Sequence, residues 1–417
     1  MVTALLSAPV RSALWRWHGI AGLLVAPFLL LLAVTGAVYL FRWEVDRWQH
    51  PALFAPIGEV QTTYARQLAA VEQDFPGSVA LSVALDPDHA WPTEVLIRDL
   101  AGVERTVLVD PASATVRGSI TDAERLTALA IHLHRDLFAG TPGRCILELA
   151  ASWALILVLT GVVLWWPAAG HCLRALWGAG RRRDLRWWHV TPAVVLAPAM
   201  LLLVLSGLPW TVVWGRLYDD ITTALGSGFP SEVFWQRPRS DLPAPPHPLT
   251  IDAVLHAVAD RPFPAARTIE LPRTIGESWV VHGQMGREPL RARWSFVDPH
   301  DGRILYDRSW ADIGTLARPA TVGVALHMGL LFGPLNRLLS LLGCLGMATA
   351  ALTGPVLWWT RRRRNEHLPA ASDITPPWWL WVVAGVVLIL LPVAAAGTAI
   401  VAAWAWAWRS WSGGGQQ

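Results

Sequence analysis

Four histidines recur at matched places in two pairs of apolar stretches. Residues 17–36 read WHGIAGLLVAPFLLLLAVTG and residues 188–207 read WHVTPAVVLAPAMLLLVLSG. His18 thus aligns with His189 and Gly36 with Gly207, at an offset of 171 (189 − 18). Residues 134–166 open HRDLFAGTPGR and close TGVVLWW; residues 327–359 open HMGLLFGPLNR and close TGPVLWW. His134 aligns there with His327, Arg144 with Arg337 and Gly161 with Gly354, at an offset of 193 (327 − 134). Ionisable groups in or beside a membrane span are costly and mark function by default. Neutral imidazole is a haem-iron ligand, and helix bundles hold such cofactors between facing helices. Two histidines facing each other at one depth can hold one haem iron from both sides. Any single one of them also reads as an amphipathic side chain at the membrane interface, a reading that four matched positions weaken.

Each stretch carries a small pair at the end opposite its histidine: Thr35-Gly36, Thr160-Gly161, Ser206-Gly207 and Thr353-Gly354. From His18 to Gly36 is roughly 27 Å of helix at 1.5 Å per residue, close to the hydrocarbon depth of a bilayer. Gly36 and Gly207 therefore fall near the level of His134 and His327, and Gly161 and Gly354 near that of His18 and His189. Small residues admit a flat macrocycle; they serve ordinary helix packing equally well. Arg144 and Arg337 suit bidentate recognition of carboxylates such as haem propionates, or simple anchoring at a membrane end. His132 has Ala325 as its counterpart and stands outside the set.

The elements that must position these residues are membrane helices. The 417 residues are 53% hydrophobic and 16% charged, too apolar for one soluble domain. Five stretches meet the length of about 20 residues that a span needs: 14–40, 146–166, 188–214, 338–359 and 379–403. Many of the 26 tryptophans cluster at their ends as an interfacial belt. Arg11 and Arg16 precede the first span, Arg174, Arg181, Arg182, Arg183 and Arg186 lie in 167–187, and Arg361 to Arg364 lie in 360–377. The positive-inside rule makes these regions cytoplasmic. The N-terminus is then inside, the C-terminus outside, and the polar segments 42–133 and 215–321 face outward. Breakers at Gly140-Thr141-Pro142-Gly143 and Gly333-Pro334 predict a short interfacial helix before the second and fourth spans, within 134–166 and 322–359. Cys145, Cys172 and Cys344 have neither disulfide nor metal-site spacing. A net charge of +3, held in membrane-flanking arginines, gives no ground for a nucleic-acid partner.

The two outer segments also repeat. Each has a helix-like stretch (64–71; 251–258), alternating strand-like runs, and a turn: Asp110-Pro111-Ala112-Ser113-Ala114 in the first, Asp298-Pro299-His300-Asp301-Gly302 in the second. A helix followed by a small antiparallel sheet is the α+β class. This V-D-P hairpin resembles that of PepSY domains. Two such domains between spans that begin W-H and end T-G-x-x-L-W-W resemble the PepSY-associated transmembrane family, over nearly the whole chain except the fifth span and the tail. Ala114 departs from the glycine that Gly302 supplies in the second hairpin.

The resemblance implies an α-helical polytopic protein of the bacterial inner membrane, with two PepSY-like α+β domains outside and an internal parallel repeat. It implies an iron-regulated protein of the siderophore-iron reductase type holding b-type haems. On that expectation two haems are present, one held by His18 and His189, the other by His134 and His327. An electron passes from the first to the second and on to an Fe(III)-siderophore at the outer face. The chain shows no G-x-G-x-x-G after a strand and no Walker A motif, so the electron donor is external: quinol from the surrounding lipid, or a cytoplasmic flavoprotein. No C-x-x-C-H is present for covalent haem attachment, and no H-E-x-x-H for a metalloprotease. A non-enzymatic PepSY module assisting a transporter or peptidase is the alternative. A transporter of the siderophore itself ranks third, because inverted repeats would suit that activity better.

Overall fold

A computed structural model describes residues 7–55, 61–85, 91–166, 184–234, 237–243, 249–264, 266–283, 288–364 and 376–413. Most of the expected basic loop at 167–187, with Arg174, Arg181 to Arg183 and Cys172, lies outside the described residues, as does 365–375. The chain divides into a helical unit (Met1–Ala37, His132–Tyr218, Arg337–Gln417) and a sheet unit (Val38–Ile131, Asp219–Asn336).

Among the described residues three helices are each long and apolar enough to cross a membrane: α1 (Ala8–Leu40), α5 (Gly140–Trp165) and α11 (Gly333–Arg363). Only 33%, 39% and 33% of their apolar windows are buried, so most of that surface faces outward, as it does toward lipid and not in a soluble core. Within the helical unit the helices meet through small residues. Ala21, Val25, Ala26 and Leu29 of α1 pack on Ala150, Ala154 and Leu157 of α5 and on Ala351 of α11. A Cβ on Gly343 would come within 2.8 Å of Leu203, and one on Gly346 within 3.0 Å of Leu196, so these glycines set how closely the helices approach. At one end Arg361 lies over the Trp15 ring at 5.1 Å, Arg362 over Trp358 at 5.2 Å and Arg363 over Trp359 at 5.3 Å.

Two further apolar stretches are broken. The run expected as one span over 188–214 is α6 (Leu185–Val195) and α7 (Ala197–Gly207), bent by 60° across Leu196, with a new helix, α8 (Val213–Ala224), beyond an extended Thr211. Pro198 removes a backbone donor and its ring crowds the carbonyl four residues back, and Pro192 does the same six residues earlier. Pro27, the counterpart of Pro198, sits alone inside an unbroken α1. The run expected as a straight span over 379–403 is α12 (Trp378–Leu390) and α13 (Pro392–Gly413), bent by 115°. Leu391, before Pro392, is driven out of the helical region (φ −126°, ψ 74°), and Pro392 starts the next helix, where its missing N–H has no cost. Taken as one bent span, this pair is apolar and long enough to be a further crossing.

The sheet unit begins with α2 (Arg42–Gln49) and α3 (Tyr64–Asp74), followed by β1 (Val79–Leu85), β2 (Thr93–Arg98), β3 (Glu104–Asp110) and β4 (Thr115–Thr121). Its second half has α9 (Ile251–Ala257), β5 (Arg267–Glu270), β6 (Trp279–Gly283), β7 (Arg293–Val297) and β8 (Ile304–Ser309). The two sheets expected from sequence are one. Its order is β4-β3-β2-β1-β5-β6-β7-β8, joined where β1 pairs antiparallel with β5, Val83 opposite Ile269. Alternation along the strands sends Val83, Val95, Val107, Ile269, Val281 and Val297 to one face, where Val71 of α3 and Ile251 and Val254 of α9 cover them. Asp252 of α9 accepts the Tyr64 and Ala65 amides at 3.0 and 2.8 Å, capping α3. The two hairpins match in detail. Asp110 Oδ1 accepts the Ala112 amide at 2.9 Å and Asp298 Oδ1 the His300 amide at 2.8 Å, and each hairpin shifts register at the last residues of its first strand. Ala114 adopts the left-handed backbone (φ 58°) that Gly302 adopts (φ 79°) without a Cβ penalty.

The short helices expected within 134–166 and 322–359 fall earlier in the chain: α4 (Leu126–Arg135) ends two residues into the first range, and α10 (Arg318–His327) begins four residues before the second. His134 is the penultimate residue of α4, and His327 is the last residue of α10.

Candidate functional site

The helical unit brings His18 and His189 together. Their ring centroids are 6.4 Å apart, with the planes at 85°. Each ring is held from behind by a threonine on another helix. His18 Nδ1 is 2.9 Å from Thr160 Oγ1 of α5, and His189 Nδ1 is 3.0 Å from Thr353 Oγ1 of α11. The glycine after each threonine lies against the same ring: a Cβ on Gly161 would stand 3.3 Å from His18 Cε1, and one on Gly354 3.3 Å from His189 Cε1. Four helices thus contribute one histidine or one threonine-glycine pair apiece to a single cluster.

The same arrangement recurs at His134. Its Nδ1 is 3.0 Å from Thr35 Oγ1 of α1, and a Cβ on Gly36 would stand 3.2 Å from its Cε1 and 3.7 Å from Cys344 Sγ. His134 follows a buried Thr127 and precedes a tight turn in which Leu137 and Phe138 both take positive φ, 54° and 56°. Asp136 anchors that turn by accepting the Phe138 amide at 3.0 Å and the Arg135 guanidinium at 3.1 Å. Burial pushes the Asp136 carboxyl up, but these donors outweigh it and hold it below the usual carboxylate range. His132 is turned away: its ring stacks on Phe138 at 5.0 Å, with Nδ1 3.5 Å from Asp136.

His327 belongs to the sheet unit, and Gly207 closes α7 in the helical unit. Arg144 reaches the Trp210 carbonyl at 3.5 Å, and Arg337 lies in the early turns of α11. In the sheet unit, His282 pairs with Glu270 at 3.3 Å and His300 bonds the Leu242 carbonyl at 2.8 Å. Among the described residues no group of three or more His, Cys, Asp or Glu has metal-holding geometry. A haem iron needs only two axial ligands.

Two features are not legible in local sequence. The threonines read there only as small residues beside glycine; that each faces a histidine depends on which helices are neighbours. The second is Glu148, the one acidic residue of α5. It is 1% exposed and accepts the Val213 and Trp214 amides, both at 2.8 Å, at the start of α8. An acid inside an apolar run was the available signal.

A family model described as the PepSY-associated TM region matches residues 15–361, which include all the histidines named above. No curated protein matches the chain. The chain belongs to the PepSY-associated TM region family and is a multi-pass membrane protein of that family.

Proposed function

We propose that this member of the PepSY-associated TM region family is a di-haem b electron-transfer protein of the bacterial inner membrane, reducing an Fe(III)-siderophore at the periplasmic face. The observation that carries the reading is the His18–His189 pair. Two imidazoles bound on opposite sides of one metal, at about 2 Å per bond, put their ring centroids roughly 6 Å apart. The observed separation is 6.4 Å. With Nδ1 of each ring engaged by threonine, Nε2 is the nitrogen left for a metal. Glycines at 161 and 354 keep side chains off both rings.

His18 and His189 would hold one haem. For the second, the sequence correspondence points to His134 and His327 as ligands, with Gly36, Gly207, Arg144 and Arg337 as further candidates and the two arginines as propionate partners. Bound haem supplies reversible one-electron exchange, at a potential that its axial ligands and surroundings set. The chain itself orients the imidazoles, keeps water from them with apolar helices, and fixes the depth of each site. The arginine-tryptophan contacts at the His18 end support a cytoplasmic placement of that end, by the positive-inside rule. Quinol or a cytoplasmic flavoprotein is the donor. Each Fe(III) takes one electron, so a two-electron donor serves two ferric complexes. The resulting Fe(II), larger and less charged, is held more weakly by hard oxygen ligands and leaves the chelate. The matched hairpins and bulges support reading the two halves of the sheet as PepSY-like domains of a parallel repeat, facing the siderophore side.

The test is a reduced-minus-oxidised visible spectrum of purified protein, made with ample haem supply, together with a pyridine haemochrome count. Two low-spin b-type haems per chain are expected. A colourless protein overturns the reading and leaves a non-enzymatic PepSY binding or inhibitory module. Fully reducible haems with no iron release from any ferric chelate overturn the substrate alone.

A further inference from the structure

The geometry points to Thr160, Thr353 and Thr35 as positioning residues that lock His18, His189 and His134 in one tautomer, leaving Nε2 of each ring as the metal-binding atom. The inference rests on the haem reading above and deepens it.

A threonine hydroxyl has one proton to give and two lone pairs to offer. In each of the three, a carbonyl one turn back is placed to take that proton. Thr160 Oγ1 donates to the Ile156 carbonyl at 2.7 Å, Thr353 Oγ1 to the Thr349 carbonyl at 2.6 Å, and Thr35 Oγ1 to the Leu31 carbonyl at 2.7 Å. A carbonyl can only accept, so the hydroxyl proton points along its own helix. The same oxygen stands 2.9–3.0 Å from a histidine Nδ1 and must therefore accept from it. Nδ1 then carries the ring proton, and the neutral ring keeps its lone pair on Nε2.

The glycine one residue on completes the device. It lies against Cε1, the atom between the two ring nitrogens, at Cβ distances of 3.2–3.3 Å in all three cases. The hydroxyl fixes Nδ1, and the glycine backbone limits how far the ring can tilt. Back-bonding threonines are ordinary in apolar helices. The recurrence of the same imidazole contact across three helix pairs (α1 with α5, α6 with α11, α4 with α1) is not explained by back-bonding alone.

Partners on the far ring nitrogen of a metal-bound histidine raise its basicity and fix its orientation. A more basic ligand favours the ferric state and lowers the midpoint potential. Thr160→Val keeps the side-chain shape and removes the acceptor; Thr160→Ser keeps the acceptor. The experiment is a spectroelectrochemical titration of the full-length protein, with low-spin ferric EPR spectra and haem counts. In Thr160→Val and Thr353→Val the same one of the two midpoints is expected to rise, with an altered EPR signal, or that haem is lost; the serine variants restore both. Thr35→Val is expected to act on the other haem. Unchanged midpoints, EPR spectra and haem counts in the valine variants would overturn the assignment, as would equal losses in the serine and valine variants. If the wild-type protein carries no haem, the haem reading fails, and 15N spectra of histidine-labelled protein decide the tautomer separately. A proton on Nδ1 of His18 supports the lock, and one on Nε2 overturns it.

Discussion

The planes of the His18 and His189 rings stand 85° apart, with their centroids separated by 6.4 Å. They come from α1 and from α6, helices whose sequences align, so one repeat-related pair of positions has become one site. If both rings serve one haem, His18→Ala and His189→Ala remove the same haem and leave the other reducible. The haemochrome count drops from two to one in each, and the same midpoint disappears. Loss of different haems in the two variants would sink the pairing. His134→Ala is expected to remove the remaining one.

Gly161 and Gly354 lie against the His18 and His189 rings. A Cβ at either position sits about as close to an imidazole as real contacts allow, and valine adds two methyl groups beyond it. Gly161→Val is expected to lose the haem that His18→Ala loses, with helix content unchanged by circular dichroism. Gly385→Ala is the control: a Cβ there meets nothing within 4 Å, and both haems remain.

Glu148 holds the start of α8 in place, with Val213 and Trp214 as its two donors. Glu148→Ala leaves two amides without their acceptor, at about 1–3 kcal/mol for each buried group left unsatisfied. The expected result is a clear drop in melting temperature in detergent, with Glu148→Gln in between because its one amide oxygen still accepts. An unchanged melting temperature in Glu148→Ala would show that water replaces the carboxylate.

Acid should loosen the sheet unit. The Glu270 carboxyl is held below its usual range, first by its hydrogen bond to His282, against burial that pushes it up. Burial likewise pushes Asp307 up, but Arg293 and Ser295 donate to it at 2.6 and 2.8 Å and hold it down. A folded-state value below the unfolded one gives stability that is present above the ordinary carboxylate range and is lost as pH falls through the depressed value. Hydrogen-exchange protection of β5–β8 should hold from neutral pH down to about 4 and then fall. Asp307→Asn should lower protection at neutral pH and flatten that acid limb; a limb unchanged in Asp307→Asn removes the carboxylate as its cause.

Much of this architecture is written in local pattern. The apolar runs at 14–40, 146–166 and 338–359 become α1, α5 and α11, because length and lipid solubility alone decide a span. Alternation places the strands for the same local reason. The breaks at Leu196 and Leu391 were not read, since proline does not by itself decide: Pro27 is absorbed by α1, while Pro192 and Pro198 together are not. The joining of two sheets into one depends on β1 finding β5, a pairing between distant segments that no local period encodes. The histidines and their glycines stood out because they recur. The threonine hydroxyls did not, because their role exists only once α1 faces α5 and α6 faces α11.

The β1–β5 seam also has a bearing on the order in which the protein is made. Leu85 ends β1 and Arg267 opens β5, and the chain between them contains α5, α6 and α7. At 5–20 residues per second, roughly 10–40 s of synthesis separates the two strands. For that interval the first four strands stand with the β1 edge unpaired, a template for wrong partners. Each nascent chain therefore passes through a half-built stage that a holding chaperone could recognise, and two such chains side by side could exchange their second halves.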